Sequence, residues 1–377
     1  MTERVGTAIV GGGIAGCAVA YYLAAEGESD IVLLEADELG SGSTGGSFGG
    51  VRQQFSTPLE IELSRRGLEF WRTAESVFDS PVAWHQNGYL FLTGKPEILD
   101  KLAAAAQLQR SMGLADVHVL DAEQVADLVP WVGTQGLLGG THTPSDGKVT
   151  PTEGVAALAK AAKARGVRFR ERWPVRSVTR DGRSWRLDGP DSLEAERVVM
   201  CTGYWSSDLL RPLGLALTIR PVPLYAAITA PALAGQRVPL TIDLDTGLLI
   251  DREADGLLVA ILLEDNPPGY GHSRMLEDFA DLARVRAPAL ADLRIARHVV
   301  SNVDLGGDGH PYVGQVADGL WMVAGFGGHG AMHAPPVAKL LVETMVGRPD
   351  PTLDISILDP WRAPGAASEW MVASKKG

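Results

Sequence analysis

Only two cysteines occur in 377 residues, Cys17 and Cys201. They supply neither a disulfide framework nor a metal cluster, and both read as packed thiols rather than catalytic ones. No His/Cys grouping has metal-ligand spacing, and neither a nucleophile elbow nor a paired-carboxylate constellation is present. No apolar run reaches the roughly 18 residues that a membrane-crossing helix needs. Positive charge is short as well. The chain has 34 Lys and Arg against 46 Asp and Glu, a net charge of −12, which argues against nucleic acid or an anionic membrane as a general partner. Internal repeats are missing, as are low-complexity tracts outside the glycine loops. The glycine turn at Gly11 leaves no room for a cleaved signal peptide, so a reducing cytoplasm is the expected location. With 45% apolar and 21% charged residues the composition is that of a globular protein, and the length suits two lobes.

Glycine is abundant, with 44 residues clustered in loops. The first cluster follows the apolar strand Thr7–Val10 and places Gly11, Gly13 and Gly16 at G-x-G-x-x-G spacing. A small-residue helix, Ile14–Ala25, comes next, then the apolar strand Ile31–Leu34, ending on Glu35. This order is what dinucleotide binding requires. The first glycine makes the turn, the second lets backbone approach a pyrophosphate, and the third lets helix pack on strand. The phosphates face the helix N-terminus, and the acid accepts bonds from a ribose.

Helix and strand signals alternate beyond this unit. A strand is expected at Gly88–Thr93 and a helix at Pro96–Met112. Thr150, Pro151 and Glu153 mark a helix start, and that helix should stop at Gly166. Strands follow at Val167–Arg170, Val175–Thr179 and Arg197–Met200, with a turn at Asp181–Gly182. Leu217–Leu263 has strand patterning broken by proline and glycine turns and reads as an antiparallel sheet, followed by a helix at Met275–Val285. The apolar strand Leu320–Ala324 opens into GFGGHG and a helix from about Pro335 to Val346. Two discontinuous lobes result: a nucleotide lobe from 1–85, 145–215 and 298–377, and a substrate lobe from 86–144 and 216–297.

Three further features separate a flavin from a nicotinamide. The loop after Glu35 carries six glycines between Gly40 and Gly50 with the hydroxyls of Ser41, Ser43 and Thr44, a run of donors able to wrap a pyrophosphate and ribityl chain. MCTGYW is similar to the late Thr-Gly strand end that closes on FAD in flavoproteins with two dinucleotide-binding domains. The loop Gly325–Gly330 precedes a helix whose start can stabilise the negative charge of a reduced flavin.

With SGSTGGSFGGVRQQF, GYLFL, DGKVTP, CTGYWS, IRPVP, DGHPYVG and AGFGGHGAMHAP, the chain resembles the D-amino-acid-oxidase-like family of FAD-dependent amine oxidoreductases over nearly its whole length. The nearest branches are sarcosine oxidase (monomeric and beta-subunit) and glycine oxidase. The resemblance implies an α/β fold, with a Rossmann-like FAD domain of the GR2 type over an α+β substrate domain whose sheet is mainly antiparallel. It implies oxidation of a C–N bond next to a carboxylate, with hydride transfer to flavin N5. The resulting imine is hydrolysed by water, and reoxidation is expected from O2, giving H2O2, or from an electron-transfer partner.

The FAD contacts expected on this basis are Gly11, Gly13, Ile14, Ala15, Gly16, Glu35 and Ala36. In the second loop they are Ser41, Gly42, Ser43, Thr44, Gly49, Gly50 and Val51. Further along they are Val175, Thr202, Gly203 and Trp205, and in the last loop Gly325, Gly327, Gly328, His329, Gly330, Ala331 and Met332. Arg52 matches the arginine that pairs with the substrate carboxylate, a task suited to a guanidinium fork; its plain alternative is a surface arginine. His329 matches the GHG histidine beside the flavin, where it positions or polarises; alternatively it only satisfies backbone groups. Gln53 and Gln54 either support Arg52 or begin a solvated helix. Tyr225 is a catalytic candidate, with Tyr270 and His272 as further pocket candidates; aromatic residues of a half-buried sheet are otherwise core.

Departures from the family also carry expectations. Ser301 stands where monomeric sarcosine oxidases carry the flavin-linking cysteine, and Gly46 where the dimethylglycine dehydrogenase branch carries a histidine, so FAD is expected to be non-covalent. The oxygen-activating lysine would fall within Gly256-Leu257-Leu258-Val259, where none occurs. Met332 replaces a second cation, and Pro223-Leu224 a basic pair. The pocket is therefore expected to be more apolar than one for sarcosine and to take a larger or less anionic amine. A same-fold dehydrogenase and a non-catalytic FAD-binding assembly protein are the competing readings.

Overall fold

The strand Glu3–Val10 lies at the centre of the first sheet, in a computed structural model that describes residues 2–263, 265–362 and Glu369. It pairs in parallel with Ile31–Leu34 on one side and Ser192–Met200 on the other. Ile31–Leu34 continues the parallel sheet to Arg168–Arg170. Ser192–Met200 divides its outer edge: its first half pairs antiparallel with Ser184–Asp188, its last residues parallel with Leu320–Ala324. All four residues of Ile31–Leu34 are buried, as a parallel strand covered on both faces demands.

Helices Ile14–Ala25, Pro151–Ala164 and Gly330–Met345 pack together over one face of this sheet. Ile14–Ala25 occupies the middle. Its run from Ala15 to Ala20 is buried, and those small side chains let its neighbours approach closely. The other face is covered by a cluster including Trp173, Trp185 and Leu187.

The second sheet has eight strands. In spatial order they are Ile295–Leu305, Arg220–Thr229, Gly256–Ile261, Leu248–Glu253, Leu240–Asp243, Tyr89–Thr93, Gly139–Thr143 and His118–Asp121. All neighbours are antiparallel except Leu240–Asp243 with Tyr89–Thr93. Ile295–Leu305 belongs to this sheet throughout, so the chain changes sheets after Leu305 and not at residue 298. A small third sheet joins Gly50–Val51, Gly147–Val149 and Trp84–His85.

Three local expectations are corrected. The strand expected at Val175–Thr179 is Ser177–Asp181, which leaves Val175 in the connection before it. Thr150 makes no side-chain cap bond; Pro151 opens the helix, and the Glu153 carboxylate accepts from Ala83 N instead. The last helix begins at Gly330 rather than near Pro335, with two prolines inside it. Pro335 cannot donate to Ala331 O. The indole of Trp71 does so in its place, at 2.8 Å.

Trp71 belongs to a helix sequence reading missed, Pro58–Phe78. Its start, Thr57-Pro58-Leu59-Glu60, repeats the pattern at Thr150. Here Thr57 does cap, its hydroxyl accepting from Glu60 N at 3.4 Å.

Candidate functional site

A cavity of about 1420 Å³ runs from the glycine turn to the inner face of the second sheet. That exceeds the roughly 300–1,000 Å³ of ordinary ligand pockets and suits an extended cofactor with a small substrate.

At one end Gly11 has φ +103°, a left-handed conformation, and a Cβ there would sit 2.4 Å from Cys201 O. A Cβ on Gly16 would sit 1.9 Å from Gly11 O, so the third glycine lets helix meet turn. The Glu35 carboxylate is anchored by Gly12 N at 2.6 Å and Asp37 N at 2.9 Å. Thr44 Oγ1 accepts from Ile14 N at 3.1 Å, which brings the second loop onto the helix start. First-turn N–H groups and loop hydroxyls offer donors that fit a diphosphate, and the anchored Glu35 carboxylate offers an acceptor that fits a ribose.

The expected residues Gly11, Gly13, Ile14, Ala15, Glu35, Ala36, Ser41, Gly42, Ser43 and Thr44 line this cavity. So do Gly49, Gly50, Val175, Thr202, Gly203, Trp205, Gly327, Gly328, His329, Gly330, Ala331 and Met332. Three do not. Gly16 is occupied with helix packing, Val51 is buried in the hydrophobic core, and Gly325 gives its N–H to Asp304 Oδ2 at 2.8 Å. Asp304 also accepts from Gly327 N through its backbone carbonyl at 3.0 Å, so this unforeseen acid ties down the last glycine loop. Burial pushes its carboxyl up to about 6, against the backbone donors it meets.

Arg52 lies at the far end and is only 2% exposed, which rules out the surface alternative. It follows directly on the strand Gly50–Val51, which pairs with Gly147–Val149. Its guanidinium carbon sits 4.0 Å from the centre of the Phe55 ring, 5.2 Å from Phe91 and 5.8 Å from Tyr89. Nη1 donates to Gln54 O, and Nη2 lies 3.0 Å from His329 Nε2. A guanidinium has no acceptor, so Nε2 accepts and the imidazole proton is on Nδ1. Burial, with the charge of Arg52, holds His329 well below its ordinary value and therefore neutral.

Gln53 and Gln54 are buried, and neither begins a solvated helix. The Gln53 amide and side chain both donate to Asp146 Oδ1, at 3.0 and 3.1 Å, and Gln54 Nε2 donates to Tyr89 O. Burial pushes Asp146 up to about 7.

Behind Arg52 and His329 lies a buried cluster of Glu60, Ser64, His310 and His333. His310 Nδ1 is 2.6 Å from Glu60 Oε1, His333 Nδ1 is 3.1 Å from Glu60 Oε2, and Ser64 Oγ is 2.7 Å from His333 Nε2. The ring of Phe55 packs on both His329 and His333, whose own ring centres lie 6.0 Å apart. Burial pushes Glu60 up, but His333 and His310 outweigh it and hold the carboxyl below its usual range. Burial drives His333 down to about 4. The cap pattern at Thr57 was the signal that could have found Glu60.

Tyr225 is a correction. Strand pleating sends Val222 and Leu224 into the cavity and Tyr225 to the opposite face, where it packs edge-on against Tyr270 and His272. All three are aromatics of the outer layer and do not line the cavity. Gly46 and Ser301 meet: a Cβ at Gly46 would lie 2.5 Å from Ser301 Oγ and 2.7 Å from its Cβ. Among the described residues no helix is long and apolar enough to cross a membrane, and no group of His, Cys, Asp and Glu could hold a metal ion.

Residues 7–344 match the family described as FAD dependent oxidoreductase, DAO. The chain is similar to 4-methylaminobutanoate oxidase (formaldehyde-forming) of Paenarthrobacter nicotinovorans, 29% identical over 388 residues covering 97% of this chain and 46% of that protein. It is similar to mitochondrial dimethylglycine dehydrogenase of Rattus norvegicus, 28% identical with 96% and 45% covered. The chain thus spans about half the length of these relatives. Among solved structures, L-proline dehydrogenase of P. horikoshii superposes with a TM-score of 0.87 at 25% identity, over 96% of this chain and 98% of that one. Glycine oxidase of Geobacillus kaustophilus gives 0.84 at 23%, over 97% and 100%.

Proposed function

The chain belongs to the DAO family of FAD-dependent oxidoreductases, and on that footing we propose that it oxidises the C–N bond of an amino acid or related amine to an imine, with FAD held non-covalently. The observation that carries this reading is Arg52, a buried cation where the glycine-lined half of the cavity meets the apolar half. In so dry a setting a substrate carboxylate is held by charge-assisted bonds and the α-carbon is fixed with it.

FAD, when bound, supplies a two-electron acceptor for the hydride of that carbon. Glu35 would hold the ribose, and the N–H groups after Gly11 the diphosphate. Donors of the last loop, from Gly327 to Gly330, would meet the flavin end. His329 accepts from Arg52 and thereby orients the guanidinium; its neutral state and committed Nε2 leave it a positioning group rather than a base. The positive charge of Arg52 and the apolar wall disfavour a substrate ammonium, so the amine is held neutral with its lone pair available to assist loss of hydride.

O2 is the acceptor we favour, with H2O2 as product. A dehydrogenase using a partner is the second reading, supported by the wholly apolar strand Leu257–Ile261, which spans the place where the resemblance would put an oxygen-activating lysine. Peroxide yield per turnover separates the two.

The test is anaerobic bleaching of the flavin by a panel of amines, with Arg52→Ala. The variant should lose about 100-fold or more in kcat/KM for carboxylate-bearing substrates, and little for the decarboxylated amine. If no amine bleaches the flavin, the assembly-protein reading takes its place. The crowding of Gly46 by Ser301 supports non-covalent binding, and acid precipitation should leave the yellow colour in the supernatant.

A further inference from the structure

The cavity wall facing Arg52 is one face of the second sheet, and its composition is one-sided. Tyr89 and Phe91 point to this face with their register partners Leu240 and Ile242. Leu249 lies opposite Ile242 on the next strand. Leu240 reaches Gly50, two residues before Arg52: a Cβ on Gly50 would lie 2.7 Å from Leu240 Cδ1. Val222, Leu224 and Leu262 extend the wall.

Among the described residues, the ionisable groups near this wall are already engaged. Asp251, on the same face of its strand as Leu249, is bound by Lys148 at 2.7 Å and does not line the cavity. Asp243 is on the opposite face, bound by Arg286 at 2.6 Å. Arg220 and Asp265, at the rim, pair with each other at 2.6 Å and are partly exposed. Asp304 serves the glycine loop, and Asp308 is bound by Arg362 at 2.7 Å. A ligand at Arg52 therefore meets one cation and an apolar surface, with no second cation for another carboxylate and no acid for a side-chain amine among the described residues.

Resting on the amine-oxidation reading above, we propose that the substrate is an amino acid with a single carboxylate and a bulky apolar substituent on the α-carbon or the nitrogen, rather than glycine, sarcosine, a dicarboxylate or a basic amino acid. The carboxylate sits at Arg52, and the substituent lies on the face formed by Phe91, Leu240, Ile242 and Leu249. Each methylene taken from water there should tighten binding about fourfold.

Redox-inert carboxylates test this without turnover. The FAD-loaded protein is titrated with acetate, glutarate and cyclohexanecarboxylate, reading the flavin absorption spectrum and the thermal midpoint. Cyclohexanecarboxylate should bind at least about 50-fold more tightly than acetate, and glutarate no better than acetate. Ile242→Ala should shrink the cyclohexanecarboxylate preference about 10-fold; the wild-type titration stands even if that variant does not fold. In turnover, N-methylleucine should bleach the flavin with a higher kcat/KM than sarcosine. Equal binding of the three carboxylates, or faster bleaching by sarcosine or glycine, overturns the substrate class and leaves amine oxidation standing. If no carboxylate perturbs the flavin and no amine bleaches it, both proposals fall.

Discussion

Replacing Gly67 by alanine should destabilise this protein, although glycine inside a helix ordinarily costs about 1 kcal/mol relative to alanine. Gly67 lies in the helix Pro58–Phe78 where it crosses the first turn of Gly330–Met345. A Cβ there would stand 2.0 Å from Met332 O and 3.0 Å from Met332 C, a contact with backbone that no rotamer relieves. The helices would have to part by about 1 Å, an overpacking cost of about 1–3 kcal/mol. One turn further on, the same parting breaks the bond from Trp71 Nε1 to Ala331 O, at 2.8 Å. Losing that bond between buried groups costs a further 1–3 kcal/mol or so. Set against the helix-propensity gain, the net loss is about 1–5 kcal/mol, or a fall of about 1–6 °C in Tm for a chain of this length. Urea unfolding followed by tryptophan fluorescence measures the first, a thermal scan the second. FAD affinity should fall in parallel, because the displaced turn carries Ala331 and Met332 of the cavity wall. A Gly67→Ala protein as stable as the wild type, or more stable, would refute the reasoning.

Three other perturbations have defined outcomes. Gly46→Ala should cost about 1–3 kcal/mol of stability through its clash with Ser301, and Ser301→Gly should restore at least half of that loss; strictly additive effects in the double-mutant cycle would deny the contact. Glu60→Ala leaves His310 and His333 facing a void and should cost about 3–5 kcal/mol in urea unfolding, so a change below 1 kcal/mol or so would show the cluster to be energetically idle. Two groups tilt the pH dependence in opposite senses. His333, lowered from 6.5 to about 4, contributes stability that is full above its unfolded value and fades as pH falls through 4, a change of about 3 kcal/mol. Asp146, raised from 3.8 to about 7, contributes stability that is full below 3.8 and fades as pH rises through 7. Asp146→Asn should therefore gain about 4 kcal/mol on the wild type between pH 4 and pH 8. Parallel Tm curves for the two proteins over that range would count against the burial of this charge.

The nucleotide half of the site was legible because its chemistry is local. Gly11, Gly16 and Glu35 are set by turn geometry, helix approach and strand length, and all of these lie within one strand-helix-strand unit. Helix Ile14–Ala25 and strand Ile31–Leu34 have the bounds their residue patterns suggest, for the same reason. Arg52 and His329 were identified by resemblance, but that they touch could not be read from positions 277 apart. Tyr225 failed because alternation in a strand says that neighbours face opposite ways, but not which face is the pocket. The last helix was begun too late because Pro335 and Pro336 read as a helix start; a tryptophan on a distant helix supplies the donor that the first of them lacks.

By itself the sequence determined that a dinucleotide is held, where the strand-turn-helix unit lies, and which glycines make its turn and its helix contact. Those properties depend on backbone conformation and short-range order. The tertiary structure decided that Arg52 is buried rather than exposed, that His329 is neutral with its proton on Nδ1, and that Glu60, His310 and His333 form one buried cluster. It also decided that an apolar sheet face, not a charged one, meets the end of the cavity that holds Arg52. Each of these turns on desolvation and on contacts between segments hundreds of residues apart, quantities that exist only once the chain has folded.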